Sequence, residues 1–251
     1  MPAEILPNAA QPDDIYIVVD VIRATTTLAV MLSRGAARVL VAETVEQARE
    51  AAQIIPGRLL CGERNVKRIP GFDYGNSPVQ YSQLDLARKE LILTTTNGTR
   101  AFYACPEGTI RLAGSFYNAR AVTERALALA QERQSNIALV CSGEFSYFAL
   151  DDAICAGYLA FEIQRQNPEI YVQESARAAI ALYQSPTAAE MIEHSQSARS
   201  VIEAGLQEDV AFCMQRDGCT SVPMVVGREE ETGLLVVEEN DVHEQNTPAI
   251  P

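Results

Sequence analysis

At 251 residues and 47% hydrophobic content the chain can bury one large core or two lobes, and no apolar run nears the roughly 20 residues that span a bilayer. A net charge of −13 argues against nucleic acid, because a polyanion is held by a basic surface that releases counterions; a local cation cluster can still take a small anion. Six dispersed cysteines without a two-residue gap, and only two histidines, argue against a zinc knuckle, redox pair, disulfide framework or multi-histidine metal centre.

Chemistry here therefore falls to carboxylates, hydroxyls, arginines and hard metals. The start, Met1-Pro2-Ala3-Glu4, lacks the basic-then-apolar pattern of an export leader, so a cytoplasmic location is expected.

Ile15–Val19 is an apolar, β-branched run that predicts a buried strand, and Ala24–Ser33 a helix that Gly35 terminates. Asp20 and Arg23 then sit between strand end and helix start, where α/β folds place ligands; Asp20 serves equally well as a helix cap. Ile22 stands where haloacid dehalogenase-type phosphatases carry a second aspartate, which disfavours that class. A strand over 37–41, a helix over 44–54 capped by Thr44, and a strand over 58–61 follow. The last delivers residues 62–78, where Glu63, Asp73, Arg64, Lys67 and Arg68 alternate with glycines and prolines. That mixture suits a concave site for a metal and an anionic substrate, against the plainer reading of a polar surface loop.

Residues 91–102 read as strand, polar turn and helix. Hydroxyls and amides of Thr95, Thr96, Asn97, Gly98 and Thr99 predict a cradle for phosphate or sulfonate oxygens, against a plain Asn-Gly turn. The GxxxxGK[ST] spacing is missing, so nucleotide binding does not follow. Cys105 and Arg111 have the C-x5-R spacing of cysteine phosphatases, but Pro106 removes an amide donor, Glu107 repels phosphate and Leu112 offers no hydroxyl. A strand ending near Asn118, a helix over 119–134 and a strand over 136–141 come next, the last delivering Glu144. A helix over 148–164 carries Asp151 and Asp152 in its first turns, where the dipole favours carboxylates. Residues 170–216 are helical by composition, strands are expected over 221–226 and 234–237, and 241–251 form an acidic tail.

Alternating strands and helices predict an α/β fold, layered α/β/α with a mostly parallel or mixed central sheet. Two strand–loop–helix units, at 15–35 and 137–163, suggest two similar lobes: an N-terminal one over 1–135 with most site motifs and a C-terminal one over 136–240.

The ordered blocks at 20–27, 62–64, 71–78, 95–99, and 142–144 with 150–153 resemble those of the 2-phosphosulfolactate phosphatase (ComB) family. The likeness covers about residues 15–165, is weaker around Gly205, Asp209 and Val222-Pro223, and departs mainly at the short leader and long tail. It implies magnesium-dependent hydrolysis of (2R)-2-phospho-3-sulfolactate to 3-sulfolactate and phosphate, a step associated with coenzyme M biosynthesis. A different phosphorylated hydroxy acid, or non-catalytic binding of an anionic metabolite, remains open beside it.

Phosphate-monoester hydrolysis needs acceleration of up to about 10²¹-fold, hence charge neutralisation and in-line placement of a nucleophile. On this reading Asp20 and Glu63 are catalytic, and with Asp73 they supply Mg2+ ligands or the base. Arg23 and Arg64 grip phosphate and sulfonate, residues 95–99 form the anion cradle, and Asn76, Ser77 and Asn118 orient the rest. Glu144 and Asp152 stand behind the ligands. Whether water or Asp20 attacks phosphorus stays open, and the helices are compatible with a homodimer. All of it requires Glu63 and the Asn97-Gly98 bend to share one pocket.

Overall fold

A computed structural model describes residues 13–144 and 147–240. The leader reading at residues 1–4 and the acidic tail at 241–251 lie outside the described residues. Among those described, no helix is long and apolar enough to cross a membrane.

β1 (Ile15–Val19) and α1 (Ala24–Ser33) open the chain with the predicted bounds. Every β1 residue is buried, and its alternate side chains feed opposite cores. Ile15, Ile17 and Val19 pack with Val122, Ala126, Ile154 and Leu159, whereas Tyr16 and Val18 pack with Leu28, Met31 and Phe102. That division makes helix, sheet and helix three layers. β2 (Arg38–Val41) and β5 (Glu90–Thr94) behave alike: Val39, Val41, Leu91 and Leu93 face the second core, Leu40 and Ile92 a third beneath α2 (Val45–Ile54). Thr44 caps α2 with a reciprocal Gln47 contact.

The remaining strands are β3 (Leu59–Arg64), β4 (Lys67–Arg68), β6 (Ile110–Gly114), β7 (Ile137–Cys141), β8 (Pro223–Arg228) and β9 (Leu235–Glu239). One mixed nine-stranded sheet results, ordered β4-β3-β5-β2-β9-β8-β6-β1-β7. The triplets β3-β5-β2 and β6-β1-β7 are each parallel, and the antiparallel pair β8-β9 joins them. The boundary expected near residue 135 crosses this sheet, since β7 pairs with β1 and the β8-β9 hairpin lies at its middle.

Three antiparallel steps separate the triplets, so they run in opposite senses. The sheet curls around the shared second core, where β1, β2, β5, β6 and β9 all contribute side chains, and β8 is bulged between Val225 and Gly227. This curl brings the end of β1 against α4 (Gly98–Ala104), which follows β5.

α3 (Pro78–Ser82), α5 (Ala119–Arg133), α6 (Leu150–Gln166), α7 (Glu174–Tyr183), α8 (Ala188–Glu193), α9 (Gln196–Glu203) and α10 (Gln207–Cys213) complete the described elements. β3 runs three residues beyond its predicted end because Asn65 and Val66, at φ of 51° and 69°, form a two-residue turn into β4. A β-branched residue in the left-handed region is strained. Val66 is held there by Glu63, which accepts from its N–H, and Arg23, which donates to its carbonyl.

Asn118, expected to orient substrate, is instead a strut. Its Oδ1 accepts from Ser115 N–H and Oγ–H, and its Nδ2 donates to Ala113 and Ser221 carbonyls, which uses the whole carboxamide. Asn118→Ala is expected to cost about 2–4 kcal/mol in urea unfolding, the toll of several buried groups left unpaired. A loss under about 1 kcal/mol would contradict the strut role.

Candidate active site

Asp20 after β1, Glu63 near the end of β3 and Glu144 after β7 line one cleft of about 340 Å³. Asp20 Oδ1 accepts from Ala24 N–H at 3.2 Å, so the carboxylate also caps α1. Its Oδ2 lies against Gly98, where a Cβ would sit 2.5 Å from that oxygen and 2.5 Å from Ala24 Cβ. Only glycine permits this approach. Glu63 clamps two turns at once: Oε1 accepts from Thr96 N–H at 2.7 Å and Oε2 from Val66 N–H at 2.8 Å. Glu144 Oε2 accepts from Asn97 Nδ2 at 2.8 Å. Glu63 and the Asn97-Gly98 bend thus meet in one place.

Crowding of acids sets the electrostatics. Burial, with the fields of Asp151 and Glu63, raises the Asp20 carboxyl to about 7 against the opposing Ala24 N–H and Arg23. Burial, then Asp20, Asp151 and Glu63, raises Glu144 to about 7. Asp152 is also pushed up, by burial and then by Asp151 and Asp20. It does not line the cleft; its oxygens accept from Val21 N–H at 2.9 Å and Gly143 N–H at 3.1 Å, tying the β1 and β7 loops together.

Arg23 lines the cleft with its terminal nitrogens engaged, one 2.7 Å from buried Asp209 and the other on Val66 O. Lys67, at the exposed end of the β3-β4 turn, lines the rim and forms no salt bridge among the described residues. Thr95, Thr96, Asn97 and Asn76 line it too.

Several expected residues point elsewhere. Asp73 is exposed and accepts from Leu60 N–H at 2.8 Å, so it braces the loop outside the cleft. Arg64, next to Glu63 on a strand and hence opposed in direction, donates to Glu63 O and Thr94 Oγ1. Ser77 caps α3 and donates to Asp209 Oδ1 at 2.6 Å. Thr99 is absorbed in a closed exchange with Thr95, each N–H donating to the other's Oγ1, so the cradle narrows to Thr95, Thr96 and Asn97 at the cleft wall.

The far wall was not anticipated. It comes from α9, through Ser197, Ser200, Val201 and Glu203, with Ser197 Oγ donating to Asp151 Oδ1 at 3.3 Å. Polar residues on a short amphipathic helix carry no local mark of a site.

Cys105 is buried with its thiol raised to about 11, and Arg111 is spent on Phe102 O, Pro106 O and Thr109 Oγ1. Cys105→Ser is therefore expected to keep turnover within about two-fold in a phosphate-release assay, while loss of activity would restore the thiolate mechanism.

The family model described as 2-phosphosulpholactate phosphatase matches residues 1–228. A Thermotoga petrophila protein named "Probable 2-phosphosulfolactate phosphatase" is 35% identical over 225 residues, 89% of this chain and 92% of its own. One of the same name from Deinococcus radiodurans is 35% identical over 92% of this chain and 96% of its own. Another, from Carboxydothermus hydrogenoformans, is 34% identical over 90% and 91%. With likeness of this extent running through every strand of the cleft, the chain belongs to the 2-phosphosulfolactate phosphatase family.

Proposed function

We propose that this chain hydrolyses (2R)-2-phospho-3-sulfolactate to 3-sulfolactate and phosphate with Mg2+, in the cytoplasm, as a step towards coenzyme M. The observation that carries the reading is the convergence of Asp20, Glu63 and Glu144 with Thr96 and Lys67 in one cleft.

The donor chemistry fits a hard cation. Among the described residues no three His, Cys, Asp or Glu side chains group into a metal cage. Mg2+ commonly uses one or two carboxylates and fills its remaining positions with water and phosphate oxygens. Asp20 and Glu144, two carboxylates lining the same cleft, would hold it, whereas both Glu63 oxygens already accept backbone N–H groups and Asp73 lies outside. When bound, the ion supplies charge neutralisation for a phosphoryl group entering an acidic cleft.

The chain's own groups do the rest. Lys67 at the rim faces the anionic substrate. Glu63 holds the Thr96 and Val66 turns in place, and the Asp20 carboxylate takes up a proton from the attacking water.

Phosphate release from phosphosulfolactate, phospholactate and phosphoglycerate, with Mg2+ and with a chelator, tests this. Fastest release from phosphosulfolactate, lost on chelation, is expected. Tight binding without release from any ester would make the protein a sensor or carrier instead.

A further inference from the structure

Two polar atoms of residues in the cleft wall have no hydrogen-bond partner among the described residues. Asn76 is 4% exposed, yet its Oδ1 accepts no hydrogen bond, and buried Thr96 Oγ1 makes none either. Leaving such groups unpaired is costly, and the buried carboxamide of Asn118 is fully used; among the described residues Arg38 Nε and Ser135 Oγ, both outside the cleft lining, lack a hydrogen bond as well. Both residues are fixed by their surroundings. Asn76 directly precedes Ser77, which caps α3 and binds Asp209, and Thr96 N–H is held by Glu63. Their backbones are pinned, and both residues belong to the cleft lining.

The two atoms ask for different partners. A threonine hydroxyl can donate to an oxyanion, whereas a carboxamide oxygen can only accept. A fully ionised phosphosulfolactate offers acceptors alone: phosphate, sulfonate and carboxylate oxygens. Among the reactants, only water can satisfy Asn76 Oδ1.

Resting on the phosphatase reading above, we propose that Asn76 Oδ1 orients the attacking water and that Thr96 Oγ–H holds a non-bridging phosphoryl oxygen. The water oxygen bonds to phosphorus as the ester P–O bond breaks. One water proton passes through the acidic cluster to the departing ester oxygen, and the other, held by Asn76 until attack, stays on the phosphate. The balance is ester plus water to alcohol plus phosphate, with no further co-reactant. Water can donate to a base and to Asn76 together; methanol, with one O–H, cannot. Asn76 therefore favours water over an alcohol as nucleophile.

The test is the ratio of methyl phosphate to inorganic phosphate formed from phosphosulfolactate in water–methanol mixtures. Asn76→Leu is expected to lower kcat about 10–100-fold with KM within a few-fold, and to raise the methyl phosphate fraction several-fold. Thr96→Val is expected to raise KM about 10-fold, with Thr96→Ser restoring it and the partition unchanged. Lower turnover at an unaltered methanol ratio would make Asn76 structural and overturn the proposal. Absence of hydrolysis by the unmutated protein would overturn the phosphatase reading and this one with it, so the two failures are distinguishable.

Discussion

Replacing Asp20 by Asn is expected to lower kcat by about 10²–10⁴-fold, the usual reach of a lost proton acceptor, without lowering the melting temperature. The two effects share a cause. Burial, with the charges of Asp151 and Glu63 beside it, raises the Asp20 carboxyl from 3.8 to about 7. Asparagine keeps an oxygen for Ala24 N–H but removes the repelled charge, so stability is held or improved while chemistry is lost. The sign of the pH dependence follows. Between about pH 4 and 7 the folded chain binds more protons than the unfolded one, so metal-free stability falls as pH rises through that window. Glu144, raised from 4.5 to about 7, adds a slope of the same sign, so Asp20→Asn makes the profile shallower without flattening it. Full turnover in Asp20→Asn, or metal-free stability that climbs from pH 4 to 7, would contradict the role given to this residue.

Gly98→Ala is expected to cost about 10²-fold in kcat while the chain stays folded, as small misplacements near reacting groups do. The added Cβ would fall 2.5 Å from both Asp20 Oδ2 and Ala24 Cβ, so the carboxylate or the turn must move. That turn also carries Thr96, clamped by Glu63, and Asn97, clamped by Glu144. A shift there therefore reaches all three acids together. Circular dichroism separates this from unfolding; wild-type turnover in Gly98→Ala would show that the close approach is immaterial.

Local pattern made the elements legible. β1 and α1 keep their predicted bounds because an apolar run ending at Asp20 and a helix stopped by Gly35 are signals within a few residues. The sheet order was not legible, because the insertion of β8-β9 between β2 and β6 joins segments far apart in the chain. The same limit governs the site. Asp20, Thr96 and Asn97 follow strands and Glu63 sits near the end of one, all beside turn formers, and the fold gathers them. Asn118, Ser77, Thr99, Arg64 and Asp73 are equally polar in sequence, but each finds its hydrogen-bond partners in the protein itself. Only those partners decide between strut and ligand contact, and the chain hides them until it folds.

A crystal structure with Mg2+ and 3-sulfolactate decides whether this cleft is the place of reaction. The ion is expected on the carboxylates of Asp20 and Glu144, with an anionic group of the ligand within hydrogen-bond distance of Thr96 Oγ1. Ligand density elsewhere on the molecule, with this cleft holding only solvent, would contradict it.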